Sequence, residues 1–289
     1  MDETNRWIPE TLHDALGIRM TLKVKRMLCE IETGHQHLAL FWNKRFGKTL
    51  VLDGVTQITT CDAFVYNEMM PHVPIFAHGN VEQVLIVGGG DCCIAGEVLK
   101  HRSVKHVTQV EIDVSVIEFA KDYFPEFTRP VFADTRFESI IDDGMKYAAQ
   151  TDRRFDVIIV DSSDQQGPSK GLFSKKFYTA CKRCLTKNGI LVTMNGVPFL
   201  QPKELATSMK YFRTLFPHSG CYIAAVPTYV GGHMAMGWAS NTDVETIAPH
   251  LISERYIAEG SFPTKYWTPK VHQAAFALPR FIEEIVGRA

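Results

Sequence analysis

The sequence predicts an α/β protein built on a doubly wound, mainly parallel sheet, preceded by a small antiparallel β unit. Two patterns carry that prediction. From about Met20 to Thr60, short strand-like runs follow one another, and beyond about Asn80 apolar strand candidates alternate with helical stretches. A third observation places a ligand. The run VLIVGGGDCC, Val84 to Cys93, sets three glycines and an acid directly after a strand that reads as covered on both faces.

In chain order, MTLKVKRMLCEIET, HLALFWN, KTLVLDG and VTQITT form the antiparallel unit, punctuated by Gly34, Gly47 and Gly54. A helix is expected from Asp62 to Met70, with Pro71 and Pro74 leading into the second part. The boundary is expected between Met70 and Asn80, giving domains of residues 1–72 and 73–289. The alternation then runs through VEQVLIVGGG and a helix near Ala95 to His101, then HVTQVEID and a helix near Val114 to Tyr123. FESII, FDVIIVDSSD, the helix SKKFYTACKRCL and GILVTMNG follow. CYIAAVPTYV and MAMGWAS read as an antiparallel pair joined through Gly231 and Gly232, and a last helix is expected near Arg280 to Val286. In such sheets ligands bind at the carboxyl ends of the strands, and the chemically suggestive residues fall at those ends.

Composition narrows the function. The chain has 289 residues, 45% hydrophobic and 22% charged, and a formal net charge of −1, so it reads as an ordinary globular protein. Its Lys and Arg residues are scattered, which leaves no footprint for nucleic acid or an anionic membrane surface. No apolar run reaches the length of a membrane span. Seven irregularly spaced cysteines and the acidic, polar start MDETNRWIPE fit reduced thiols in a cytoplasm. Cys181 and Cys184 form a CxxC within a helical pattern and lack a second pair at zinc spacing, and the histidines show no metal-ligand spacing, so no metal is expected.

The acid after the glycines is the informative residue. A strand-glycine-helix turn ordinarily receives anions, because unpaired N–H groups and the helix dipole favour negative charge. Asp91 opposes an anion, so the turn formed by Gly88 to Gly90 points to a ligand that is cationic where a nucleotide carries phosphate; the competing reading is a tight turn capped by Asp91. Glu111 ends the next strand, roughly twenty residues on, where an acid accepts from a ribose diol. Helix capping is the alternative for Glu111, and Asp113 fills that role as well. Asp142, Asp143 and Gly144 follow FESII, either to accept from an amino group of a base or as an acidic turn and cap. Asp161 and Asp164, in VDSSD, converge on one cationic group or form a plain Asp/Ser turn; they are the best candidates for the reacting centre. Tyr66 and Tyr229 offer a hydroxyl and an aromatic wall beside an amine, or simple packing, and Gln36 in GHQHL remains a polar strand residue of unfixed role. For the adjacent thiols Cys92 and Cys93, inert packing is the leading reading.

Taken in order, LVLDGVTQ, DAFVYNEMM, VLIVGGGD, VEID, DDG, VDSSDQQGP and VPTY resemble the polyamine aminopropyltransferases, above all the spermidine synthases. The resemblance covers nearly the whole chain and includes the LDG turn ahead of the glycine loop, which methyltransferases in general lack. It implies a methyltransferase-like α/β domain behind a small N-terminal β domain, and a homodimer or homotetramer. It also implies decarboxylated S-adenosylmethionine as co-substrate, with no prosthetic group, and a small polyamine as the partner. Asp91 would then bind the aminopropyl ammonium, Glu111 the ribose, and Asp143 with Gly144 the adenine, with Gln36 near the cofactor. Asp161 would take up or orient the amine proton, while Asp164, Tyr66 and Tyr229 shape the polyamine site.

The chain departs from the family pattern near that site. Cys92 and Cys93 stand where glycines are usual, Gly96 where Arg is usual, Ala63 where Glu is usual, Asn67 where His or Gln is usual, and Gln165 where Pro is usual. His37 replaces an acid, and Lys170 falls where an acid is common. Aminopropyl transfer to putrescine is the expected function. It competes with transfer to another amine, with a weakly active or inactive ligand-binding paralogue, and last with methyl transfer, which Asp91 disfavours because that cofactor keeps its carboxylate.

Overall fold

The computed structural model describes residues 6–32, 37–162 and 167–287. Short strands β1 (Trp7–Pro9) and β2 (Thr21–Lys23) pair antiparallel. Next, β3 (Arg26–Glu32), β4 (His37–Asn43), β5 (Gly47–Leu52) and β6 (Val55–Thr59) make a four-stranded antiparallel sheet in that order. Leu38, Leu40 and Ile58 bury one face of it in a cluster with Cys93 and Phe124 of the larger unit. The small sheet is thereby joined to the turn that follows the glycines.

Helix α1 (Ala63–His78) links the two units. It was expected to stop at Met70, yet it runs through Pro71 and Pro74 to a left-handed Gly79. A proline removes a backbone donor and frees the carbonyl four residues earlier, which must find another partner. Tyr222 Oη donates to the carbonyls of Met69 at 3.0 Å and Met70 at 3.5 Å, and so serves the group left by Pro74. Arg255 Nη1 caps the far end, donating to Phe76 O at 2.6 Å and Ala77 O at 2.8 Å. Residues 65–77 of the helix are buried, so packing holds what proline propensity opposes. The helix spans the interval where the domain boundary was expected, and packs on the large sheet and its first helix.

The larger unit alternates as β7 (Gln83–Gly88), α2 (Cys93–Val98), β8 (His106–Glu111), α3 (Val114–Tyr123), α4 (Pro125–Ala133), β9 (Phe137–Ile141), α5 (Gly144–Gln150) and β10 (Phe155–Asp161). It continues as α6 (Lys175–Cys184), β11 (Leu185–Met194), α7 (Pro202–Leu215), β12 (His218–Ala225) and β13 (His233–Ser240), and ends with α8 (Pro249–Ala258), α9 (Pro269–Ala274) and α10 (Arg280–Ile285). The seven strands lie in the order β12-β13-β11-β10-β7-β8-β9, and β13 is antiparallel to both of its neighbours. Apolar residues on the two faces of this sheet feed two separate clusters, as expected of strands covered by helices on both sides. The doubly wound, mainly parallel sheet and the N-terminal antiparallel sheet agree with the sequence. Helix α2 begins two residues earlier than expected and stops three short.

Candidate active site

The strand order sets Asp161, Gly88, Glu111 and the Asp143 turn side by side along one edge, at the carboxyl ends of β10, β7, β8 and β9. Asp161 pairs in register with Gly88, and Gly89 N donates to Asp161 O at 3.1 Å. Contact is close enough that a Cβ on Gly88, whose φ is +85°, would stand 2.0 Å from that same oxygen. Glycine is required there on two counts, conformation and space. A Cβ on Gly90 would stand 3.1 Å from Glu111 Oε2, so the turn also lies against the second acid.

Tyr66, one turn into α1, donates its hydroxyl to Asp161 Oδ1 at 2.8 Å. Its ring meets that of Tyr229 edge-on, with centroids 6.3 Å apart, and Tyr229 Oη donates to Gln57 O at 2.9 Å. Asp91 Oδ1 accepts from Cys93 N, the first amide of α2, at 2.8 Å from the position before the N-cap residue Cys92, and its charge acts on Asp161. Glu111 accepts from Asp113 N at 3.1 Å, and Asp113 itself caps α3 through Ser115 N, which frees Glu111 from capping. Asp143 caps α5, taking Met145 N at 2.7 Å and Lys146 N at 3.4 Å on the same Oδ1. Gly144 is buried, and a Cβ there would meet Val87 Cγ1 at 2.4 Å. Gln36 and Asp164 lie outside the described residues.

The electrostatics are those of like charges gathered in a poorly solvated place. Burial raises the Asp161 carboxyl from 3.8 to about 7, and the Asp91 and Glu111 charges push it the same way against the Tyr66 hydrogen bond. Burial also raises Asp91 and Glu111, each against backbone N–H bonds. Tyr66 is held well above its usual value by burial and by the Asp161 charge, so it stays a hydroxyl donor. No Lys, Arg or His among the described residues forms an ion pair with any of the three acids. An arrangement of this kind favours a cation.

Cys92 adopts φ +65° at the start of α2, a left-handed conformation that suits the glycine usual there. Its thiol is fully buried and pushed up to about 12, mainly by burial, and burial likewise raises Cys93. Both are inert packing groups. Cys181 and Cys184 are buried and unpaired, and among the described residues no cluster of three acids, cysteines or histidines could hold a metal ion.

Residues 63–248 match the family described as "Spermine/spermidine synthase domain", and residues 7–60 match "Spermidine synthase tetramerisation domain". The chain belongs to the spermine/spermidine synthase family. A polyamine aminopropyltransferase of Ruegeria sp. (strain TM1040) is 48% identical over 96% of this chain and 98% of that one. A polyamine aminopropyltransferase of Pseudomonas syringae pv. tomato is 44% identical over 97% of each. Among solved structures, a spermidine synthase in complex with the transition-state analogue AdoDATO superposes with a TM-score of 0.91 at 32% identity, covering 98% of this chain and 96% of that one. A spermidine synthase from Thermotoga maritima gives 0.88 at 31%, covering 98% and 95%. As a family member the protein is a transferase with the methyltransferase-like fold.

Two buried acids of this synthase-family chain escape sequence reasoning. Glu68 accepts three backbone N–H groups, from Lys265, Tyr266 and Trp267, each at 2.8 Å. Asp62 accepts from Thr59 Oγ1 and, at 2.7 and 2.5 Å, from Thr228 N and Oγ1. The 265–267 amides and Thr228 lie well over a hundred residues away, where no local pattern reports them; Thr59 alone is a near neighbour. The sole local hint is an acid set in an otherwise apolar helical run, or one ahead of a helix whose N–H groups it does not cap.

Proposed function

We propose that the protein transfers the aminopropyl group of decarboxylated S-adenosylmethionine to putrescine, giving spermidine and methylthioadenosine. One observation carries this reading: three neighbouring carboxylates, Asp91, Glu111 and Asp161, without a protein cation among the described residues. A cofactor that has lost its carboxylate and an amine acceptor are both cationic, and both relieve that repulsion. The AdoDATO complex of a related spermidine synthase supports the choice of co-substrate.

In this reading Gly88 and Gly90 admit the nucleoside, Glu111 holds the ribose diol, and Gln36 serves the cofactor. Asp143, through the oxygen its cap leaves over, and Gly144 receive the adenine. Asp91 binds the aminopropyl ammonium and repels a ligand that keeps its carboxylate. Asp161 takes one proton from the acceptor ammonium, and its raised pKa of about 7 makes it a stronger base than an ordinary carboxylate. The freed lone pair attacks the carbon next to sulfur. The C–S bond breaks toward sulfur, the sulfonium becomes a neutral thioether, and the new C–N bond leaves a secondary ammonium. Tyr66 fixes the Asp161 carboxylate through its 2.8 Å hydrogen bond, Tyr229 walls the acceptor, and Asp164 grips its distal ammonium.

We place the chain in a homodimer or homotetramer. The match of residues 7–60 and the exposed Trp7, Leu16, Ile31 and Trp42 around the small sheet support this. A cytoplasmic location fits seven unpaired cysteines, and no helix among the described residues is long and apolar enough to cross a membrane. The test is release of methylthioadenosine from decarboxylated S-adenosylmethionine across a panel of amines. Turnover with putrescine supports the reading. Turnover with another amine alone replaces the acceptor, and ligand binding without turnover replaces catalysis.

A further inference from the structure

Asp62 stands at the N-cap position of α1, but its carboxylate makes no capping bond there. It is 6% exposed and reaches instead to Thr228, 2% exposed, taking both its N–H at 2.7 Å and its hydroxyl at 2.5 Å, and also to the hydroxyl of Thr59 in β6. Thr59 Oγ1 and Thr228 Oγ1 lie 3.1 Å apart. Three separate elements therefore meet at one buried acid: the end of the small sheet, the start of the helix carrying Tyr66, and the segment between β12 and β13 carrying Tyr229. The two tyrosine rings, each within a turn or a residue of this junction, are the pair that touch edge-on with centroids 6.3 Å apart.

We infer that Asp62 is a positioning residue for the amine acceptor, acting through Thr228 to hold the Tyr229 wall against Tyr66. This rests on the aminopropyl-transfer reading above. The acid does not face the cofactor turn; its described hydrogen bonds all go to Thr59 and Thr228. Losing it loosens the acceptor side and leaves the nucleoside seat, built on the ends of β7, β8 and β9, in place. A carboxylate is needed because three donors converge on it. An amide at this position turns an NH₂ toward one of them.

The test compares steady-state kinetics of Asp62→Asn, Thr228→Val and Thr228→Ser, using decarboxylated S-adenosylmethionine and putrescine. Loss of a hydrogen bond to a buried charge predicts that Asp62→Asn and Thr228→Val raise the amine KM about tenfold or more, with the cofactor KM held within about twofold. Thr228→Ser restores the amine KM that Thr228→Val loses. Equal changes in both KM values, or a wild-type amine KM in Thr228→Val, overturn the proposal. A second measurement is independent of turnover: Asp62→Asn must speed hydrogen exchange at the Thr228 amide, and unchanged exchange overturns the clamp. If the wild-type protein turns over no amine, the transfer reading fails, and the exchange experiment alone decides whether Asp62 holds the segment.

Discussion

Replacing Asp161 by Asn should stabilise the ligand-free protein at alkaline pH while removing its turnover. Asn keeps the shape and still accepts from Tyr66, so what is deleted is the charge. The Asp161 carboxyl is raised from 3.8 to about 7, so the folded state holds a proton that the unfolded chain releases. Stability from this group is fully present below about 4 and is lost as pH rises through about 7. That interval of about three pH units, at about 1.4 kcal/mol each, corresponds to about 4 kcal/mol at pH 8 and above. For a chain of this size, roughly 2 °C in Tm per kcal/mol gives a rise of about 8 °C at pH 8.5, shrinking to about two-fifths of that at pH 5. Calorimetry of wild type and Asp161→Asn across pH 5 to 8.5 measures it directly. A Tm difference that does not grow with pH, or that favours wild type at pH 8.5, refutes the idea that Asp161 is held against its own charge.

The remaining predictions concern the frame around the site. Gly88→Ala and Gly17→Ala share a left-handed backbone at φ +85° and +73°, but an added Cβ meets Asp161 O at 2.0 Å in the first and nothing within 4 Å in the second. Urea unfolding should show about 1 kcal/mol lost at Gly17 and more than about 3 at Gly88, because the conformational term is common and the clash is not. Glu68→Gln leaves one of the three N–H groups of residues 265–267 facing an NH₂, and should lower the unfolding free energy by about 2–4 kcal/mol in the same assay. His72 and His101 form a buried pair at 2.9 Å, with both imidazoles held well below their usual pKa, chiefly by burial, with Lys100 adding to it. Stability from the pair is present above the unfolded histidine value of about 6.5 and falls as pH drops below it, so denaturant midpoints measured from pH 7 to 5 should decline, and His101→Gln should flatten the decline. Binding of methylthioadenosine with putrescine at pH 7 should release protons from Asp161. Calorimetry in buffers of different ionisation enthalpy reads that release, and a buffer-independent heat contradicts it.

The parts of this molecule that were legible in its sequence are those whose cause is local. The Val84 to Val87 run followed by three glycines, and the acids at Asp91, Glu111 and Asp161, lie within a few residues of the strand ends that give them meaning. The end of α1 was misplaced because Pro71 and Pro74 are local stop signals, while Tyr222, which serves the carbonyl left by Pro74, and Arg255, which caps the helix end, arrive from β12 and α8. Asp143 illustrates an ambiguity that spacing alone does not resolve, since one carboxylate caps a helix and still leaves an oxygen for another partner. Asp62 and Glu68 were missed for the same reason as the helix end: each is explained by a hydrogen bond that closes a loop of more than a hundred and sixty residues.

Four strand ends brought to one edge also constrain how this protein can change. Glu111 and Asp161 are rooted in backbone whose register with its neighbour is set by the sheet, Asp161 opposite Gly88 and Glu111 opposite Ile141. Inserting or deleting a single residue within β8 or β10 would turn the acid to the other face and destroy the edge, whereas Asp91 and Asp143 sit in the loops after β7 and β9 and move with any change in those loops. The positions of Glu111 and Asp161 are therefore closed to all but substitutions, while those of Asp91 and Asp143 are open to drift in the loops that carry them.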